Sequence, residues 1–146
     1  MGRVSDILGA KGAQVHSIVA SATVYEAIEL MVQCNIGSLI VKDADEIVGI
    51  FTERDYLRRV TLEDRAPRTT QVQDVMTPRL ICTEAHATIE ECMAIMTQEH
   101  IRHLPVVDQG QVVGMISIGD LVKRLSRELE VEIRYLNEYI RGHAEA

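Results

Sequence analysis

Two short runs in this chain carry side chains that can do chemistry. Thr52-Glu53-Arg54-Asp55 and Ser117-Ile118-Gly119-Asp120 each place a hydroxyl three residues ahead of a carboxylate. At a strand-to-helix junction, such a carboxylate accepts two hydrogen bonds from a vicinal diol, for example the 2′ and 3′ hydroxyls of a ribose. The hydroxyl of Thr52 or Ser117 bonds the sugar or a phosphate oxygen. The helix N-terminus adds free N–H groups and partial positive charge, which favour phosphate. Gly49 and Gly114, three residues before each hydroxyl, permit close backbone approach. The same spacing also describes a helix cap, so these residues alone leave two readings open: a ligand grip or a local capping box.

The two runs are copies. Gly49-Ile50-Phe51-Thr52-Glu53-Arg54-Asp55 and Gly114-Met115-Ile116-Ser117-Ile118-Gly119-Asp120 stand 65 residues apart. The register holds without a gap from Val15/Leu80 to Arg59/Arg124, with 14 identities in 45 positions. Two such units in one short chain are expected to pack as a pseudo-symmetric pair, with a ligand cleft between them. In the first, a lead-in helix at Val4–Leu8 is broken by Gly9 and Gly12. A strand around Val15–Val19 follows, then a helix from Val24 capped by Thr23. A hairpin of Ser38–Lys42 with Ile47–Phe51 leads to a helix over 53–60. The second unit repeats the order: a short helix over 72–76, a strand over 80–83, a helix capped by Thr88, a hairpin turning at Asp108-Gln109-Gly110, and a helix from Ile118. That last helix is expected to run to Ile140, with Gly142 closing it. Val122, Leu125, Leu129, Ile133, Leu136 and Ile140 form one apolar seam along it, which packs either on the chain's own core or on another subunit.

At 146 residues the chain suits one compact domain built from two marginal halves. Hydrophobic residues make up 47%, which argues against disorder. A net charge of −7 and an aromatic content of 3% argue against a nucleic-acid binder. Cys34, Cys82 and Cys92 are odd in number and form no C-x-x-C pair, which fits a reducing cytoplasm. The start lacks a signal peptide, and no apolar run is long enough to span a bilayer, so no membrane role is expected.

The element order and the duplicated G-apolar-apolar-T/S-x-x-D motif resemble the CBS domain, and two in tandem resemble a Bateman module. Ile101-Arg102-His103-Leu104-Pro105-Val106-Val107-Asp108 and Ile36-Gly37-Ser38-Leu39-Ile40-Val41 add to the likeness. Lys11-Gly12 resembles small stand-alone bacterial CBS-pair proteins. One departure is Ile40 where the second copy has Pro105. The resemblance implies an α+β fold of two pseudo-symmetric CBS repeats, each a small sheet flanked by helices, plus an extended C-terminal helix. The expected organisation is repeat 1 over 4–60, a connection over 61–71, repeat 2 over 72–125 and a helical extension over 126–141.

The resemblance further implies adenine nucleotides (AMP, ADP, ATP, with NAD or S-adenosylmethionine as further candidates) held between the units. For the second motif it points to Met115, Ser117, Gly119 and Asp120, with Lys11, Gly12, Gln14, His16, Ile36 and Gly37 reaching in from the first unit. For the first motif it points to Ile50, Thr52, Arg54 and Asp55, with Thr77, Arg79, Ile81 and Ile101 reaching in from the second; Arg102, before the second hairpin, is expected to reach phosphate. Lys11, Arg54 and Arg102 supply local positive charge for phosphate. The expected protein is a regulatory binding module, not an enzyme, with no catalytic cofactor. It is expected to form a homodimer and to act on a regulated partner protein. The alternative is a structural homodimerisation protein with vestigial sites. His86, His100, His103, Cys82 and Glu99 match no metal spacing, no nucleophile–base pair stands out, and no phosphate-cradling loop of the G-x-x-x-x-G-K type is present.

Overall fold

The computed structural model describes residues 2–145. Its strands form two small sheets, with helices before, between and after them along the chain. One sheet has three strands in the order β1 (Ser17–Val19), β2 (Ser38–Asp43) and β3 (Glu46–Thr52); the other has two, β4 (His103–Asp108) and β5 (Gln111–Ser117). The helices are α1 (Val4–Lys11), α2 (Val24–Cys34), α3 (Glu53–Asp55), α4 (Val72–Val75), α5 (Ile89–Glu99) and α6 (Ile118–Glu145), and α3 runs on as a π-helical turn over Tyr56–Thr61.

The repeat shows in small geometric details. Thr23 and Thr88 each accept the N–H three residues on, from Glu26 and Glu91, and so start α2 and α5. Asn35 and His100 end those helices in the left-handed region, at φ 53 and 57. Both hairpins turn on two residues of positive φ, Ala44-Asp45 and Gln109-Gly110. That is the mirror-image turn whose twist matches the strands it joins. Both hairpins also carry a register shift at the same place, between Val41/Lys42 and between Val106/Val107.

The chain divides into two compact units that do not coincide with the sequence repeats. One is Gln14–Cys82; the other joins the segment ending at Ala13 to the chain from Thr83 onward. Each therefore takes its short leading helix from the other repeat. In the first, Val72 N–H donates to the Ala22 carbonyl and Gln73 N–H to that of Ala20, bringing α4 onto β3. Leu39, Val41, Phe51, Val60, Val72 and Val75 form its core. In the second, Val4 and Ser5 N–H groups donate to the carbonyls of Ala87 and Ala85, and α1 lies on β5. Val4, Ile89, Cys92, Leu104, Ile116 and Leu121 are buried there. Val4-Ser5-Asp6-Ile7-Leu8 and Val72-Gln73-Asp74-Val75-Met76 are thus counterparts, each serving the other repeat's sheet.

Two expectations need correction. The strand over 80–83 is reduced to one parallel bridge, Thr83 with Val106. In the first unit the matching strand is anchored by Ile40 N–H donating to the His16 carbonyl. The residue equivalent to Ile40 is Pro105, which has no N–H to give, so that pairing stops at Thr83. The last helix does not close at Gly142 but continues to Glu145, with Gly142 inside it.

Along the seam on α6 only Leu125 is half-buried, whereas Val122, Leu129, Ile133, Leu136 and Ile140 are about half exposed or more; the fully buried Leu121 lies beside the seam, not on it. The outer part of the seam therefore does not pack on the chain's own core.

Candidate functional site

Each hydroxyl–carboxylate motif closes a hairpin and opens a helix, and each forms a capping box. In the first unit, Thr52 N–H donates to Asp55 Oδ2 at 3.0 Å, and Asp55 N–H returns a bond to Thr52 Oγ1 at 3.3 Å. In the second, Ser117 N–H donates to Asp120 Oδ2 at 2.9 Å, and Asp120 N–H to Ser117 Oγ at 3.2 Å. The capping reading of these spacings is thus realised in both copies. A carboxylate has about four acceptor positions, so a cap does not exhaust it.

The copies then diverge, through the residue that the exchanged segment brings to each. At Asp55, Thr77 just beyond α4 donates its hydroxyl to Oδ1 at 2.9 Å, and the Thr52 hydroxyl adds a bond to Oδ2 at 3.2 Å. Both oxygens are engaged and the residue is only 6% exposed. At Asp120, Lys11 at the end of α1 donates to Oδ2 at 2.7 Å and to the Met115 carbonyl at 3.0 Å. Oδ1 accepts no hydrogen bond among the described residues, and the side chain is 22% exposed. Burial pushes the Asp120 carboxyl upward. The Lys11 hydrogen bond, the Ser117 N–H, the Lys11 charge and the Ser117 hydroxyl together outweigh burial and hold the group below its ordinary value.

The glycines are explained by the same exchange. A Cβ on Gly49 would stand 2.6 Å from the Thr77 carbonyl oxygen and 2.8 Å from Met76 Sδ. One on Gly114 would stand 2.8 Å from Leu8 Cδ2. What approaches each glycine closely is the neighbouring repeat's leading segment.

Thr77, Arg79 and Ile81 lie in the same compact unit as Ile50, Thr52, Arg54 and Asp55. Lys11 and Gly12 lie in the same unit as Met115, Ser117, Gly119 and Asp120. Thr77 and Lys11 meet the motif of the other sequence repeat, as expected, and they do so within one compact unit because the leading segments are exchanged. Gln14, His16, Ile36 and Gly37 belong to the first unit, and Ile101 and Arg102 to the second. The His16 carbonyl is committed to β2, the Gly37 carbonyl accepts from Glu53 N–H, and the Arg102 carbonyl accepts from Ile118 N–H. Ile36 and Gly37 line a groove of about 550 Å³ with the apolar Ile28, Val32 and Phe51 and the polar Asn35 and Glu53; neither Thr52 nor Asp55 lines it. Sequence reasoning placed Thr77 near the first motif but missed that its hydroxyl engages the second oxygen of Asp55, because no spacing rule links residues on two different repeats.

The sequence and the fold have known relatives. The family model described as the CBS domain matches residues 4–62 and 72–127. A mitochondrial CBS domain-containing protein of Arabidopsis thaliana, CBSX3, is 36% identical over 148 residues, covering 95% of this chain and 72% of its own. The CBS domain-containing protein YhcV of Bacillus subtilis is 35% identical over 116 residues, covering 79% and 82%. Among solved structures, a protein with CBS domains from Burkholderia ambifaria is 45% identical with a TM-score of 0.83, covering 85% of this chain and 93% of its own. A hexameric CBS-CP12 protein from bloom-forming cyanobacteria is 27% identical with a TM-score of 0.75, covering 84% and 70%.

Proposed function

The chain belongs to the CBS-domain family as a tandem pair of repeats, and from that premise we propose that it is a regulatory module that binds an adenine nucleotide and catalyses nothing. The observation that carries the reading is the Asp120 carboxylate. It sits at the start of a 28-residue helix, with one oxygen unengaged among the described residues and an ammonium beside the other. A carboxylate with open acceptor positions takes a ribose diol, and the adjacent cation and helix N-terminus favour the phosphate attached to that sugar. AMP, ADP, ATP and NAD all present this combination, and S-adenosylmethionine presents the diol alone. Asp55 is the weaker of the two grips, because both of its oxygens are already engaged and it is the more deeply buried.

The exposed seam of α6 supports a second part of the proposal, that the module works as a homodimer. Val122, Leu125, Leu129, Ile133, Leu136 and Ile140 recur in steps of 3, 4, 4, 3 and 4, an 11-residue rhythm that keeps an apolar stripe nearly straight along the helix. Its outer residues are left uncovered by this chain. A second copy brings an identical stripe of matching length. Calorimetric titration with the five ligands tests the nucleotide reading. Binding of at least one, weakened ten-fold or more in Asp120→Ala, is expected. No binding by the wild type, or unchanged binding in that variant, overturns it.

A further inference from the structure

The structure suggests more about Lys11 than general positive charge. Its ammonium donates to Asp120 Oδ2 at 2.7 Å, beside the Ser117 N–H on the same oxygen at 2.9 Å, while its second bond runs to the Met115 carbonyl at 3.0 Å, so a diol that spans both carboxylate oxygens needs the position the ammonium holds. Lys11 is 40% exposed, on a flexible four-carbon stem at the end of α1, so it can swing without disturbing the core. The counterpart role at Asp55 is filled by a neutral hydroxyl on Thr77. Resting on the reading that Asp120 takes the sugar, we infer that Lys11 is a phosphate-selecting latch. The incoming diol replaces the ammonium on Oδ2, and the released ammonium pairs with the ligand's own phosphate.

The selectivity follows from charge accounting. A bare nucleoside displaces Lys11 from its carboxylate and offers it nothing, leaving the ammonium with one carbonyl and water. A nucleotide breaks the same ion pair and supplies a new anion next to the one lost. The lysine thus penalises ligands without phosphate and repays those that carry one. This second half of the exchange has no equivalent in Thr77, which carries no charge to hand on.

The test compares AMP with adenosine by calorimetry in the wild type, Lys11→Met and Lys11→Arg. The wild type is expected to prefer AMP. In Lys11→Met, AMP should weaken by about five-fold or more, the scale of a partly exposed ion pair. Adenosine should hold or improve, because no ammonium needs displacing, so the preference shrinks toward one. Lys11→Arg should retain the preference. The phosphorus resonance of bound AMP should move on binding to the wild type and move less with Lys11→Met. Equal loss of both ligands in Lys11→Met, or an unaltered AMP-to-adenosine ratio, refutes the latch while leaving the Asp120 reading intact. Binding of neither ligand to the wild type, or full binding of both by Asp120→Asn, refutes that underlying reading and the latch with it.

Discussion

Replacing each conserved-in-copy glycine by alanine separates a hard contact from a soft one. In Gly49→Ala the new methyl meets the Thr77 carbonyl oxygen at 2.6 Å. That oxygen cannot retreat cheaply. It accepts Ile50 N–H at 2.9 Å, and Thr77 N–H donates back to Ile50 at 2.8 Å. Moving it strains or breaks two backbone hydrogen bonds, at about 1 kcal/mol each, on top of about 1–3 kcal/mol for overpacking. Alanine returns about 0.5–1 kcal/mol by restricting the unfolded chain. The net cost is about 2–4 kcal/mol. In Gly114→Ala the obstacle is the branched tip of Leu8, with both methyl carbons within 2.9 Å. A side-chain tip can rotate away, so the same backbone gain leaves a net cost of only about 0–1.5 kcal/mol. Urea denaturation followed by circular dichroism reads both, with the midpoint shift multiplied by the common slope. Gly49→Ala should also loosen the Thr77 bond to Asp55 and raise the exposure of that carboxylate. If Gly114→Ala is the more damaging variant, or Gly49→Ala is neutral, the account of how the exchanged segments pack is wrong.

Three further outcomes are expected. Ala44 sits at φ 49 in its hairpin turn, so Ala44→Gly should stabilise the protein by about 1 kcal/mol, read as a raised urea midpoint; a lowered midpoint counts against the turn geometry. Asp120 is held below its ordinary value of 3.8, so its contribution is fully present above the unfolded value and is lost as pH falls through the lower folded value. Carbon-13 titration should therefore show Asp120 ionising below 3.8 in the wild type and at higher pH in Lys11→Met, and no difference between them would remove the ion pair from the argument. Leu129→Glu combined with Ile133→Glu touches only exposed positions, and in sedimentation velocity it should dissociate the dimer while leaving the melting temperature of dilute protein nearly unchanged; a wild type that is monomeric throughout defeats the seam's role.

The repeat makes most of the fold legible in the sequence. Local signals decided it: Thr23 and Thr88 as caps, alternating apolar positions in the hairpins, turn residues at equivalent places. Those signals act over a few residues, and both copies obey them. What local signals do not encode is which sheet a short helix serves. The runs Val4–Leu8 and Val72–Met76 have nearly the same pattern, and nothing in either says that it packs with the other repeat's strands. The length of the 80–83 pairing escaped for a related reason. Pro105 was visible as a departure from Ile40, but its consequence appears only when the Ile40 bond to His16 is known to be the anchor.

Divergence between the copies, more than their likeness, sets the chemistry of the candidate site. Arg59 and Arg124 are identical in the alignment of repeats, yet Arg59 donates to the Met76 carbonyl at 2.6 Å and Arg124 pairs with Glu128 at 3.3 Å. The two acidic residues follow the same rule. Asp55 and Asp120 share a cap geometry fixed by their own repeat, but each receives its deciding partner from the segment that crosses over. A hydroxyl arrives at one and an ammonium at the other. A duplication that exchanges segments can therefore keep both folds nearly fixed while one residue, at the end of one short helix, changes what its carboxylate is paired with. Exchanging the partners tests this. Thr77→Lys should carry phosphate preference to Asp55, and Lys11→Thr should make Asp120 indifferent to it.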